Sequence, residues 1–257
     1  MARPVALVTG VSRRIGIGAA VASRLAGAGY DLFLHAWSPA DAEQRWGADA
    51  DGGAGLPAEI AAEFAAAGTR VEHAAADLAD PAAPAALFAA AVAAFGHVDV
   101  LVANHARSSD HDLEHVTAAE LDLTFAVNTR ATLLLLQEYA RRHDDTRPGR
   151  VVLMTSGQHR GAMPGELPYI ASKGALHQLT QSLAAHLAPR GITVNAVDPG
   201  ATDTGYADAA AHAAVLALMP MGRWGEPDDA ARLIAWLVGP DAGWVTGQVI
   251  VSAGGGP

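Results

Sequence analysis

The 257-residue sequence predicts an α/β fold, a single parallel sheet with helices on both faces. Short apolar runs alternate with helical patterns from end to end, and such alternation calls for parallel strands covered by crossover helices. The runs end at small or polar residues, namely Gly10, Asp77, Asn104, Ser156 and Pro199, and in such sheets ligands bind beyond the C-terminal strand ends. No internal repeat or linker interrupts the pattern, so 1–257 is expected to be one domain. A chain of this length buries roughly three quarters of its unfolded surface in that form.

In order, PVALVTG reads as a strand, VSRRIGIG as a glycine loop and AAVASRLAGAG as a helix stopped by glycine. DLFLHAW is a second strand. Residues 38–57, SPADAEQRWGADADGGAGLP, are polar and glycine-rich and read as a surface loop insertion. AEIAAEFAAAG is a second helix ending at Gly68, and RVEHAAAD a third strand. A Pro-marked helix, PAAPAALFAAAVAAFG, leads to a fourth strand, VDVLVANHA. LDLTFAVNTRATLLLLQEYARRH is expected to form one long helix, GRVVLMTS a fifth strand and YIASKGALHQLTQSLAAHLA the next helix. GITVNAVDPG is a sixth strand, residues 205–219 a mobile helical flap, PDDAARLIAWLVG a last helix and GQVIVSAGG a last strand.

Composition narrows the function. A formal net charge of −10 argues against nucleic acid as a partner, because phosphate backbones need clustered Lys and Arg. The absence of Cys excludes disulfides, thiolate nucleophiles and thiolate metal sites. MARPVALVTG enters a strand without the basic and long apolar regions of an export signal. The apolar runs fall far short of the ~20 residues that span a bilayer. A cytoplasmic protein with no membrane partner is the expectation.

Residues 156–173, SGQHRGAMPGELPYIASK, hold a hydroxyl, a phenol and an ammonium suited to proton transfer at a carbonyl oxygen. Tyr169 and Lys173 stand four apart where apolar residues recur every three and four, so both lie on one helix face. A phenol with a pKa of about 10 is a poor acid or base near neutrality, and a neighbouring cation draws it down. Lys173 is expected to be that cation. Ser156 ends an apolar strand, and its hydroxyl is expected at the same substrate oxygen. Prolines and glycines between them let the chain fold back. Tyr/Lys pairs also arise by chance on helices, so the weight rests on the surrounding motifs.

Glycines between the first strand and its helix let a pyrophosphate approach backbone amides at the positive end of the helix dipole. Together, TGVSRRIGIG, Asp77, VANHA at 102–106, Asn128, Ser156, YIASK, NAVDPGATDT and PMGRWGEPDDAA resemble the short-chain dehydrogenase/reductase family over essentially the whole chain. Ser156 precedes Tyr169 by thirteen residues, the family's usual interval. The resemblance implies a Rossmann-type, doubly wound sheet and a hydride passed between a nicotinamide and a substrate carbon. It implies that Tyr169 gives or takes the proton and that Ser156 stabilises the substrate oxygen. Lys173 would lower the Tyr169 pKa and bind the nicotinamide ribose, and Asn128 would support a water chain from Lys173. Cofactor contacts are implied for Gly10, Ser12, Arg13, Arg14, Gly16, Ile17, Gly18, Asp77, Leu78 and Asn104, with Asp77 on the adenine. Pro199, Gly200, Thr202 and Thr204 would cover the nicotinamide amide. Asn128 also reads as a satisfied core amide, and Asp77 as a helix cap.

The pattern departs from the family at three places. Five residues rather than three separate Gly10 from Gly16, a spacing that resembles the branch containing bacterial enoyl-acyl-carrier reductases. Those enzymes place six residues between Tyr and Lys, whereas YIASK has three, so carbonyl chemistry is favoured. The family's NNAG segment appears as Ala103, Asn104, His105 and Ala106. His105, His111 and His115 raise a metal reading, but no third ligand falls in register and a pocket-rim loop is preferred. At the end of the second strand, Ala36 and Trp37 replace the acidic residue that would hold a ribose diol. Arg13 and Arg14 match a 2′-phosphate in the fork geometry of arginine, so NADP(H) is favoured over NAD(H).

The substrate pocket is expected at Gln158, His159 and Met163 and at the flap, for a small-molecule ketone, 3-oxoacyl thioester or alcohol. Arg190 matches a position used to dock acyl carriers, but Leu134 stands where a second arginine belongs. The helices of Asn128 and Tyr169 are apolar over more than one face, and the family resemblance implies that these surfaces build a homotetramer. The alternatives are an enoyl thioester reductase and a nicotinamide-binding sensor without turnover; the intact Asn128, Ser156, Tyr169 and Lys173 set argues against the latter.

Overall fold

The computed structural model describes residues 3–44 and 46–256. Its seven strands form one parallel sheet. They are β1 (Val5–Thr9), β2 (Asp31–Ala36), β3 (Val71–Ala75), β4 (Val100–Ala103), β5 (Gly149–Met154), β6 (Ile192–Asp198) and β7 (Val249–Val251). Their order is β3-β2-β1-β4-β5-β6-β7. The chain starts mid-sheet, runs outward to β3 and crosses back to β4, so connections leave β1 and β4 in opposite directions. That divergence opens a crevice at their C-terminal ends, where such folds take ligands.

Residues of β1, β4, β5 and β6 are buried throughout, which explains their continuous apolar runs. One face packs on α4 (Ala83–Phe95), α6 (Ala131–Arg142) and α7 (Leu167–Leu187) through Leu87, Phe88, Leu135, Tyr139 and Leu187. The other packs on α1 (Ile17–Gly27), α3 (Leu56–Glu63) and α9 (Pro227–Val238) through Val21, Leu25, Ile60, Ile234 and Leu237. Each fully buried Leu or Phe contributes about 1.5–3 kcal/mol.

Two expected elements differ. The 38–57 stretch is not wholly loop: it opens with α2 (Ser38–Ala42), and α3 begins inside it at Leu56, whose side chain joins the core with Ile60. Pro39 and Pro57 sit in the first turns of these helices, where a missing N–H costs nothing. The expected long helix over 121–143 is α5 (Ala118–Phe125) and α6 joined by a π-helical turn, Ala126–Arg130. Widening the helix there leaves the Asn128 carbonyl to accept from Thr132 Oγ1 at 2.8 Å. Within the flap, α8 (Ala209–Leu218) is capped by Asp208, whose carboxylate accepts from Ala211 N at 2.8 Å.

Candidate active site

The sheet places the end of β5 beside the start of α7. Thr155 N continues the β5–β6 ladder to Val197 O at 2.9 Å, and Ser156 follows in extended backbone. Helix α7 opens with Leu167 and Pro168, so Tyr169 faces the strand end from its first turn. Ser156 and Tyr169 line one cavity with Ile17, Met163, Pro199, Gly200, Thr202 and Thr204, and their hydroxyls are hydrogen-bonded.

Burial pushes the Tyr169 phenol up to about 12, opposed by the Ser156 hydrogen bond, and pushes the Lys173 ammonium down to about 8. The expectation that Lys173 draws the phenol toward neutrality is corrected here. Lys173 Nζ donates to Met154 O at 2.8 Å and lies 5.9 Å from the Tyr169 ring centroid. Desolvation is the largest influence on the phenol, and Lys173 is not among the groups that oppose it.

Asn128 is fully buried and its amide is satisfied. Its Nδ2 donates to Arg107 O (3.0 Å) and Ser172 Oγ (2.9 Å), while Oδ1 accepts from Arg107 N at 2.7 Å. In this geometry it ties the loop after β4 to α7.

The glycine loop fits a dinucleotide. Gly10 has φ +73°, and a Cβ on Gly18 would stand 2.3 Å from the Gly10 carbonyl oxygen, so loop and helix approach as only glycine permits. Asn104 Nδ2 donates to Thr9 O (3.1 Å) and Gly10 O (3.0 Å), fixing the loop from β4. Asp77 and Leu78 line a second cavity with Gly10, Ser12, Trp37 and His105. Asp77 Oδ1 also accepts from Ala79 N at 2.8 Å. Arg13 lines the Tyr169 cavity, and its Nε is buried without a partner, a donor set fit for a phosphate.

Arg14 departs from the phosphate-binding expectation. Its guanidinium is held by Asp49 at 3.1 Å, Asp51 at 2.8 Å and Glu59 at 2.5 Å. Gly16 turns the chain through its N–H bond to Arg13 O at 3.0 Å. His111 faces Ser109 (3.1 Å) and His115 faces Asp112 (2.6 Å), so the two rings have separate partners.

Gln158 and His159 are not among the residues that line the Tyr169 cavity. Gln158 Nε2 donates to Thr155 Oγ1 at 3.2 Å, and His159 packs on His177 at 4.7 Å between ring centroids. Met163 does line the cavity, joined by Gln44, Trp46, Ser108, Glu166 and Tyr206. Tyr206 is flanked by Trp46 at 6.2 Å and Trp224 at 5.9 Å. Nothing local in the sequence announces Trp46 here, because its place depends on where a glycine-rich segment folds back.

His105 is buried under the glycine loop. Val127 O, which only accepts, lies 3.0 Å from Nε2, so Nε2 carries the proton and Nδ1 is left to accept from Thr9 Oγ1 at 2.7 Å. His35, also missed in the sequence, accepts from Gly10 N at 3.3 Å through Nδ1 and faces Ala76 O at 2.9 Å through Nε2. Burial, with His35 and Lys173 nearby, pushes His105 down to about 3. A histidine depressed in the folded state binds its proton more readily unfolded, so stability is lost as pH falls below about 6.5. His105→Asn should lose about 2 kcal/mol less stability than wild type between pH 7 and pH 5, at 1.36 kcal/mol per unit. Urea denaturation at both pH values measures this, and equal losses would refute it.

A family model described as enoyl-(acyl carrier protein) reductase matches residues 10–256. The chain is 39% identical over 253 residues to the uncharacterized oxidoreductase YjdA of Bacillus subtilis, covering 98% of this chain and 96% of that one. A short-chain dehydrogenase from Burkholderia cenocepacia, solved in complex with NADP, superposes with a TM-score of 0.85 at 37% identity, covering 99% of this chain and 97% of that one. A short-chain dehydrogenase/reductase from Serratia marcescens gives 0.83 at 35% identity, covering 96% and 95%.

Proposed function

The chain belongs to the short-chain dehydrogenase/reductase family of oxidoreductases, and on that premise we propose that it reduces a ketone or 3-oxoacyl thioester with NADPH. The observation that carries this reading is the convergence of Ser156 and Tyr169 on one cavity with Ile17 and the 199–204 segment.

A bound nicotinamide supplies the hydride to the substrate carbon. Ser156 and Tyr169 orient the substrate oxygen by hydrogen bonds, and the phenol donates its proton as that oxygen becomes an alkoxide. A phenol at about 12 is protonated at neutral pH, as reduction requires. Burial lowers the Lys173 ammonium to about 8, so it gives up a proton more readily than an exposed lysine and can serve as the source that reprotonates the phenolate. The sign follows: the ammonium is loaded below about 8 and lost above it. Reduction should therefore slow as pH rises through about 8 in a kcat profile with saturating NADPH. A profile flat from pH 7 to 10 would exclude Lys173 as the proton source.

NADPH is favoured because Ala36, at the end of β2, offers no carboxylate to a ribose diol. The Burkholderia relative's complex with NADP agrees with this preference. Separate titrations with NADPH and NADH, followed by nicotinamide fluorescence, test it; tighter NADH binding would reverse it. Turnover with ketones and 3-oxoacyl thioesters, followed by nicotinamide absorbance, tests the reaction.

Enoyl thioester reduction is the second reading, favoured by the long glycine loop and the description of the matching family model. Activity on an unsaturated thioester and none on ketones would select it. Binding of nicotinamide with turnover of neither would select a sensor.

We further propose a cytoplasmic homotetramer built on α5, α6 and α7. Leu123 and Phe125 are exposed, and Leu133, Leu136, Leu183 and Leu187 line a groove between α6 and α7. Sedimentation showing only monomer would overturn the tetramer. Carrier-protein docking is not part of the proposal, since Arg190 is paired with Asp145 at 2.6 Å. Among the described residues no helix is long and apolar enough to cross a membrane.

A further inference from the structure

Between β2 and α3, residues 38–44 and 46–57 run beside the glycine loop. Gly53, at φ +74°, passes so close that a Cβ there would stand 2.2 Å from the Ser12 carbonyl oxygen. Trp46 then meets Tyr206 of the flap edge to face. Ala40 and Asp41 of α2 line both cavities, as do Ala106 and Arg107 from the opposite wall. They divide the cleft into an adenine end with Asp77 and Leu78 and a nicotinamide end with Tyr169, Pro199 and Gly200. A dinucleotide joined by a pyrophosphate has to run through that partition.

The partition is anionic where the cofactor is anionic. Asp41 stands beside the Ser12 hydroxyl and the Arg13 guanidinium. Asp41 Oδ2 and Arg13 Nε are both buried without hydrogen-bond partners. Glu43 lies 3.5 Å from Arg107 Nη1. Asp49 accepts from the Arg14 backbone N at 2.8 Å and, with Asp51, pairs with its guanidinium. Arg13, Arg14 and Arg107 thus each face a carboxylate of this segment.

We propose that residues 38–57 form an autoinhibitory strap whose carboxylates, Asp41 foremost, stand on the phosphate-binding ground of the glycine loop, so that the cofactor enters by exchanging its phosphates for them. The proposal rests on reading the cleft as a nicotinamide dinucleotide site. The exchange swaps anion for anion, so the arginines remain paired while the strap's carboxylates return to water. Asp41 is the weak point of the closed state, because a buried carboxylate oxygen without a donor is costly to keep. The cofactor's differential affinity for the open strap then decides the equilibrium.

The test uses the full chain, with Asp41→Asn and Glu43→Gln variants beside wild type. Each is titrated with NADPH and NADH by nicotinamide fluorescence, and amide hydrogen exchange across 38–44 is followed in wild type with and without NADPH. If the strap is closed about nine-tenths of the time, releasing it tightens apparent binding about tenfold. Asp41→Asn should approach that gain, Glu43→Gln should gain less, and NADPH should speed exchange across 38–44. Unchanged or weaker binding by Asp41→Asn, or slower exchange on adding NADPH, overturns the strap while leaving the cofactor reading intact. Binding of neither nicotinamide by any of the three proteins overturns the cofactor reading and the strap with it.

Discussion

Tyr169→Phe is expected to lower kcat for ketone reduction about a thousandfold, within the 10²–10⁴ range of a positioned general acid, and to leave the NADPH Kd nearly unchanged. The ring stays and continues to fill its buried place, so the fold and the cofactor cleft are preserved. What disappears is the proton and the hydrogen bond to Ser156. Ser156 alone cannot replace it, because an unassisted hydroxyl is a far weaker acid than a phenol. Steady-state kinetics with saturating ketone and NADPH measure the loss, and fluorescence titration measures the Kd. Turnover within tenfold of wild type would remove Tyr169 as the acid. A parallel loss of NADPH binding would show that the substitution had damaged the cleft rather than the chemistry.

Gly18→Ala should weaken NADPH binding about a hundredfold, the equivalent of about 3 kcal/mol, near the upper end of what overpacking a tight site costs. The added Cβ would stand 2.3 Å from the Gly10 carbonyl oxygen and 2.8 Å from Asn104 Nδ2. The first is backbone and cannot rotate away. Relief requires the glycine loop to lift off α1, breaking the Asn104 bonds to Thr9 O and Gly10 O. The loop would then lose the geometry that presents amides to a phosphate. Gly174→Ala on α7 is the control, since a Cβ there meets nothing within 4 Å. Equal affinities for the Gly18 and Gly174 variants would show that the loop tolerates the added atom.

Much of the site was legible because its signals are local. Tyr169 and Lys173 share a helix face through their spacing, and Ser156 ends a buried strand whose composition announces it. The glycine loop was readable from Gly10, Gly16 and Gly18, although Gly18 serves close packing and lines neither cavity. Spacing did not show which side chains have close partners of their own. Gln158 was taken by Thr155, His159 by His177 and Arg14 by three carboxylates, two of them inside the insertion. His105 stood out as a departure from a motif, but its buried tie between Thr9 and Val127 needed three segments brought together.

The sequence by itself determined the parallel α/β sheet, the placing of Ser156, Tyr169 and Lys173 around one strand end, and the family. These follow from periodicity and short-range spacing, which act within one or two turns of chain. Only the tertiary structure decided that Asp41 and Trp46 come to the cleft and that Arg14 is held by Asp49, Asp51 and Glu59. It also decided that burial raises the Tyr169 phenol and lowers the Lys173 ammonium. A polar, glycine-rich segment carries no periodic pattern to say where it docks, and a pKa is set by burial and neighbours that are distant in sequence.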